Sequence, residues 1–162
     1  MGGFLRDQTH ASFVRALGRL LSVGTVTDNA TGRKRLKDAE SIRVQITGDA
    51  EAAGRARAEL GRLQTDLDGP IQENIRLLVT ELVTNSVRHA RAATIELIVV
   101  VSRTRVHVEV ANPGGGFEPR PSGPEDSDTG WGLFLVDRLS DDWGVSQGGG
   151  TDYQRVWFEL SR

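Results

Sequence analysis

Ile71, Ile75, Leu78, Val79, Leu82, Val83 and Val87 recur at three- and four-residue spacing, which predicts a helix with one face set into a core. Glu81 and Asn85 interrupt that helix one turn apart, followed by Arg88 or His89, so a carboxylate and an amide project from the same side. Each such group costs about 1 to 3 kcal/mol when half-buried without a partner. Either the stripe is a solvated helix edge or something polar is met there. Whatever the chain folds into must pack this helix and still leave the stripe a polar neighbour.

Two glycine-rich segments downstream bear on that choice. Val110-Ala111-Asn112-Pro113-Gly114-Gly115-Gly116-Phe117 follows the alternating stretch from Arg105 to Val110, and Thr129-Gly130-Trp131-Gly132-Leu133-Phe134-Leu135-Val136 sets a Gly-x-Gly before an apolar helix. Each alone is ordinary loop chemistry. In order behind the polar helix they fit a nucleotide site. Glycine lets backbone approach a ligand without a Cβ in the way, and amides at a helix start face anionic oxygens.

The order Glu81-x-x-x-Asn85, Asn112-x-Gly114-x-Gly116, Gly130-x-Gly132-Leu133 and Gly149-Gly150-Thr151 resembles the N, G1, G2 and G3 boxes of the GHKL ATPase superfamily. Within it, Glu-Leu-Val-Thr-Asn-Ser-Val-Arg-His-Ala, Trp-Gly-Leu-Phe-Leu-Val-Asp and Arg-Val-Trp-Phe-Glu-Leu are most similar to bacterial anti-sigma-factor serine kinases. The resemblance covers roughly residues 42 to 162. It implies ATP and Mg2+ as cofactors, with Asn85 as the metal ligand; magnesium keeps several waters, so one amide oxygen beside the phosphates suffices. It implies Glu81 as general base on an attacking hydroxyl or water, the other role for that carboxylate being a structural partner of a basic group such as Arg88. Arg88 either reaches phosphate or lies on the surface, and His89 reads as structural. Gly114 and Gly116 would line base and ribose, Gly130, Gly132 and Leu133 the phosphate side, and Thr151 would lie beneath the adenine. Residues 118 to 129 would be the lid. The partner implied is a regulatory protein, an anti-sigma antagonist, a sigma factor or both.

The G1 box of that family begins with Asp, and this chain has Asn112. Its amide oxygen can still accept from an adenine amino group, but without charge assistance. Charged hydrogen bonds contribute about 1.5 to 3 kcal/mol against about 0.5 to 1.5 for neutral ones. A loss of about 1 kcal/mol weakens binding roughly fivefold. Turned the other way, the amide would favour a base presenting a carbonyl. Weak ATP binding, altered base choice and a site without nucleotide all remain open at this stage. The lid carboxylates Glu125, Asp126 and Asp128 would oppose phosphate only if they faced it.

Along the rest of the chain, Phe13, Leu17, Leu20 and Leu21 predict a short amphipathic helix over residues 10 to 23. It either docks on its own domain or makes a dimer or partner contact. Residues 24 to 41, with a basic run from Arg33 to Lys37, read as a linker, which divides the chain into 1–41 and an ATP-binding domain over 42–162. Ile42, Val44 and Ile46 predict a strand. Asp49 caps a helix to about Leu63, and Gly69-Pro70 opens the polar-striped helix. Residues 93–101 and 104–111 form a hairpin, residues 131–139 a helix, and residues 143–146 and 154–160 two more strands. The fold class expected is α+β, a two-layer sandwich with a mixed β-sheet and helices on one face, the other face solvated or used by a partner.

Composition removes several alternatives. With 20 basic and 22 acidic side chains and net charge -2 there is no electrostatic footprint for nucleic acid. No cysteine means no disulfide frame and no thiolate metal site. No apolar run approaches the ~20 residues that span a bilayer, and the first residues lack the apolar centre of a signal peptide, so no membrane association and a cytoplasmic location are expected. The leading expectation is a regulatory serine/threonine kinase. The second is a non-catalytic partner-binding module with a degenerate site. A sensor histidine kinase fragment is disfavoured, because no dimerisation helix pair with a phosphoacceptor histidine precedes the domain.

Overall fold

The computed structural model describes residues 32–36, 39–63, 66–113, 131–147 and 153–162. In chain order these form β1 (Gly32–Leu36), β2 (Ala39–Thr47), α1 (Ala52–Leu60), α2 (Gly69–Arg88), β3 (Thr94–Ser102), β4 (Arg105–Pro113), α3 (Trp131–Leu139), β5 (Asp142–Gln147) and β6 (Tyr153–Ser161). The strands make one six-stranded sheet in the order β1-β2-β3-β4-β6-β5. Every pairing is antiparallel, where a mixed sheet was expected. The reason lies in the connections: β1 to β2 and β3 to β4 are hairpins, and the helical crossovers return the chain to positions where antiparallel neighbours are available. The α+β sandwich itself is as expected.

The strands form where β-branched residues crowd. β3 and β4 are joined by Arg103 and Thr104 alone, and the turn is closed locally: Ser102 Oγ accepts the Arg105 amide at 3.1 Å and donates to the Arg105 carbonyl at 3.0 Å. In β2, Ile42, Val44 and Ile46 face the helices, paired across to Val99, Leu97 and Ile95 of β3. The same layer continues through Val106, Val108 and Val110 of β4 and Phe158 and Leu160 of β6.

Residues 32–36, read from the sequence as linker, are instead the edge strand, Gly32 opposite Arg43 and Leu36 opposite Ala39. The strand β2 accordingly begins at Ala39, before the boundary expected at residue 42. A Gly-Arg-Lys-Arg-Leu stretch lacks apolar alternation, and basic side chains are what an edge strand tolerates. The helix expected over 10–23 and the lid over 118–129 lie outside the described residues.

α2 is the central element of the helical layer. Asp68 holds an extended conformation ahead of it, Pro70 occupies its first turn, where a missing amide costs nothing, and the Gln72 amide reaches the Asp68 carbonyl at 3.0 Å. Its buried face carries Ile75, Leu78, Val79, Leu82 and Val83. α1 packs on α2 and the sheet with Ala52, Ala56 and Leu60 buried. The Asp49 carboxylate receives the Glu51 amide at 2.9 Å just ahead of α1, and the helix stops at Leu60, three residues short of the expected end. At Gly48 a Cβ would lie 1.6 Å from the Ala92 carbonyl oxygen, so only glycine lets β2 leave the sheet beneath the end of α2.

The face of the sheet turned from these helices is buried as well. Ser41, Ile98, Val100, His107 and Trp157 are each 6% exposed or less. The unbroken apolar run Leu97 to Val101 in β3 is what two-sided burial requires. On this face His107 stacks on Trp157 with ring centroids 5.9 Å apart. The His107 ring lies between two carboxylates, Nδ1 at 3.1 Å from Glu159 and Nε2 at 3.0 Å from Glu109. Arg105 bonds Glu159 at 2.6 Å, Arg155 Nε stands 3.1 Å from Glu109, and Arg43 bonds Glu96 at 2.7 Å.

Candidate functional site

The C-terminal half of α2, the end of β4, the start of β6 and the first turn of α3 meet around a cleft of about 380 Å3, open solvent at its mouth included. Leu82, Leu133 and Val156 give it apolar walls. Asn85, Ser86, His89, Asn112 and Gln154 supply its polar groups, and among the described residues none that lines it is acidic.

The floor follows from strand register. Val106, Val108, Val110 and Asn112 share one side of β4, and Gln154, Val156, Phe158 and Leu160 share the same side of β6. Each apolar stripe therefore ends in a carboxamide, and Asn112 and Gln154 are direct partners across the two strands. Both are 5% exposed. Ser86 closes the floor from above: its hydroxyl lies 3.0 Å from Asn112 Oδ1 and 3.0 Å from the Leu82 carbonyl of its own helix. Asn112 Nδ2 donates to the Pro113 carbonyl at 3.4 Å.

The upper wall brings together two segments 45 or more residues apart in sequence. A Cβ built on Gly132 would lie 2.4 Å from Asn85 Nδ2 and 3.5 Å from the Glu81 Cβ. The first turn of α3 thus rests directly on the polar stripe of α2, and a side chain at 132 would fill the space beside both groups. Glu81 and Asn85 are half-buried rather than solvated, with Gly132 set against them.

Of the residues singled out from sequence, Asn85, Asn112 and Leu133 line the cleft; Gly132 packs on Asn85, and Glu81, one turn before Asn85, stands beside Gly132 but, like Gly132, is not among the lining residues. Arg88 is exposed and is not among the lining residues. Gly114, Gly116, Gly130 and Thr151 lie outside the described residues. Sequence reading missed Ser86, Ala90 and Gln154. The signal for Gln154 was available: a polar residue in step with Val156, Phe158 and Leu160, as Asn112 is with its own stripe. His89, read as structural, caps α2 through its amide to the Asn85 carbonyl at 2.8 Å and also borders the cleft.

The residues present suit a purine nucleotide: apolar walls for a ring, two buried carboxamides and a hydroxyl for its edge, and a glycine-opened helix start beside an amide for phosphate and metal. Among the described residues no cluster of three or more His, Cys, Asp or Glu could hold a metal by itself.

Residues 46–158 match the model of the histidine kinase-like ATPase domain, and the chain belongs to that family. Among solved structures, the RsbU and RsbW domains of Rv1364c from Mycobacterium tuberculosis align with a TM-score of 0.58 at 18% identity, over 75% of this chain and 32% of that one. The protein therefore spans about a third of that chain's length. A histidine kinase domain from the Erythrobacter litoralis EL346 blue-light activated histidine kinase aligns with a TM-score of 0.48 at 19% identity, over 94% of this chain and 82% of that one. A search of curated proteins found no match. Among the described residues, no helix is long and apolar enough to cross a membrane.

Proposed function

We propose that the protein is an ATP-binding regulatory serine/threonine kinase of the anti-sigma-factor type, acting in the cytoplasm on a small antagonist-like partner, with sequestration of a sigma factor as a further part of the role. The observation that carries the reading is the seating of Gly132 against Asn85 and Glu81, which joins the glycine-bearing helix start to the polar stripe in one wall.

In this reading Asn85 offers its amide oxygen to magnesium, while the backbone at the start of α3 faces the phosphates. Mg-ATP, when bound, supplies the phosphoryl group and leaves as ADP. Glu81 takes the proton of the serine or threonine hydroxyl that forms the new P–O bond. Leu82, Leu133 and Val156 hold the base, and Asn112 reads its edge. Gly114, Gly116, Gly130, Thr151 and Arg88 keep the roles that the resemblance implies, around base, ribose and phosphate. Residues 42–162 carry nucleotide binding, with the sheet extended to Gly32 by β1, and residues 1–41 otherwise serve contact with self or partner, including a homodimer.

The test is transfer of labelled γ-phosphate to whichever protein co-purifies from the native cell. Glu81→Ala and Asn85→Ala should each lower transfer by about 100-fold or more, the usual scale for a lost base or misplaced metal. Unchanged transfer in both variants would overturn the assignment.

Asn112 favours a second reading, a partner-binding module whose nucleotide site has lapsed. Calorimetry with Mg-ATP, Mg-ADP and Mg-GTP separates the two: no heat from the wild type, with binding gained by Asn112→Asp, identifies the lapsed site.

A further inference from the structure

We infer that Ser86 is the positioning residue that holds the Asn112 carboxamide in the orientation able to accept from a 6-aminopurine. The inference rests on the nucleotide-binding reading above. A carboxylate at position 112 would have no wrong way round, since both oxygens accept. A carboxamide has one accepting end and one donating end, so the same side chain reads an amino group in one orientation and a carbonyl in the other.

The neighbours of Asn112 select between them. Nδ2 points to the Pro113 carbonyl, 3.4 Å away, a group that only accepts. Oδ1 lies 3.0 Å from the Ser86 hydroxyl, whose one proton has two acceptors in reach, Oδ1 and the Leu82 carbonyl, also at 3.0 Å; with Nδ2 on Pro113 the two facing oxygens of Ser86 and Asn112 need that proton between them, while the Leu82 carbonyl, one helical turn back, has the Ser86 amide. Turned by half a rotation, the amide would set its oxygen against the Pro113 oxygen with no proton between them. A carbonyl oxygen carries two acceptor sites, and Ser86 occupies one, leaving the other for a ligand. Ser86 and Asn112 are both buried and both line the cleft, so the hold acts at its floor. In this arrangement the loss of the carboxylate removes charge but keeps the sense of the hydrogen bond.

The experiment compares Mg-ATP with Mg-ITP, which differ at the purine 6-position and the adjoining N1, by calorimetry on the full chain. Wild type should prefer ATP. In Ser86→Ala the amide loses its donor and keeps only the long contact to the Pro113 carbonyl, and the ATP:ITP preference should fall by roughly fivefold, the scale of one neutral hydrogen bond. Ser86→Thr keeps a hydroxyl and should keep the preference. In the Asn112→Asp background, Ser86→Ala should change the ratio by less than about twofold, because a carboxylate accepts in either orientation.

A wild type that binds ITP more tightly, an unchanged ratio in Ser86→Ala, or an equal change in both backgrounds would each overturn the inference. Binding of ATP by Asn112→Asp but of nothing by wild type overturns it while leaving a nucleotide fold intact. Failure of both proteins to bind any nucleotide removes the functional reading with it.

Discussion

A methyl group added at position 132 would meet the end of the Asn85 side chain first, and the next atoms, Asn85 Cγ and Glu81 Cβ, stand at 3.4 and 3.5 Å. An amide terminus can swing aside, so Gly132→Ala should cost the fold little, within about 1 kcal/mol. The displaced amide is the proposed metal ligand, and nucleotide affinity should fall by about tenfold or more, the scale of a 1.4 kcal/mol loss. Thermal melts alongside calorimetry check the pair of outcomes; a variant that melts normally and binds normally would detach Asn85 from the site. Glu81 and Asn85 were legible in sequence because polar residues interrupted apolar periodicity, and Asn112 because it opens the glycine-rich segment behind a strand. Ser86 was not, because a serine adjoining Asn85 on a helix looks unremarkable until the strand it touches is known. Only the meeting of α2 with β4 gives its hydroxyl a partner.

At the scale of elements, α2 separates its two faces sharply. Leu78 is fully buried, while its neighbour Leu77 is 41% exposed. Leu78→Ala should destabilise by about 2 to 5 kcal/mol and Leu77→Ala by about 0.5 or less, read from urea midpoints. The pairing of β4 with β6 carries a pH dependence. Burial lowers the affinity of His107 for a proton, but hydrogen bonds to Glu109 and Glu159 outweigh it and raise its pKa above 6.5. The His107 bond, with help from Arg105, holds Glu159 below 4.5 against its own burial. The His107 contribution is complete below about pH 6.5 and is lost as pH rises through its raised value. The Glu159 contribution is complete above about pH 4.5 and is lost as pH falls through its lowered value. Stability at this pairing should therefore peak between about pH 4.5 and 6.5 and decline toward alkaline pH. Melts of wild type and His107→Gln across that range check it: the alkaline decline should flatten in the variant. Most strands and all three described helices were legible from periodicity. β1 was not, because its pairing comes from a neighbour and not from its own apolar pattern. The buried second face was visible only as the run Leu97 to Val101 in β3.

For the molecule as a whole, a ligand that binds only the folded chain stabilises it by about 2.7 kcal/mol at 100 times its dissociation constant. For a chain of this size that corresponds to a rise in Tm of roughly 5 to 10 °C. Mg-ATP should produce such a rise in wild type and not in Asn85→Ala, measured by scanning calorimetry. The antiparallel topology was the least legible feature at this scale, since strand order is set by connections whose direction no local pattern records. One consequence of the fold concerns how the protein could be redesigned. Glu81, Asn85 and Ser86 share a backbone with Leu78, Val79, Leu82 and Val83, so reactive groups and core residues hang from one rigid rod. New specificities should be sought by randomising positions 86, 112 and 154 together, where three side chains meet from three separate elements, while α2 itself is left as the fixed jig against which every variant is aligned.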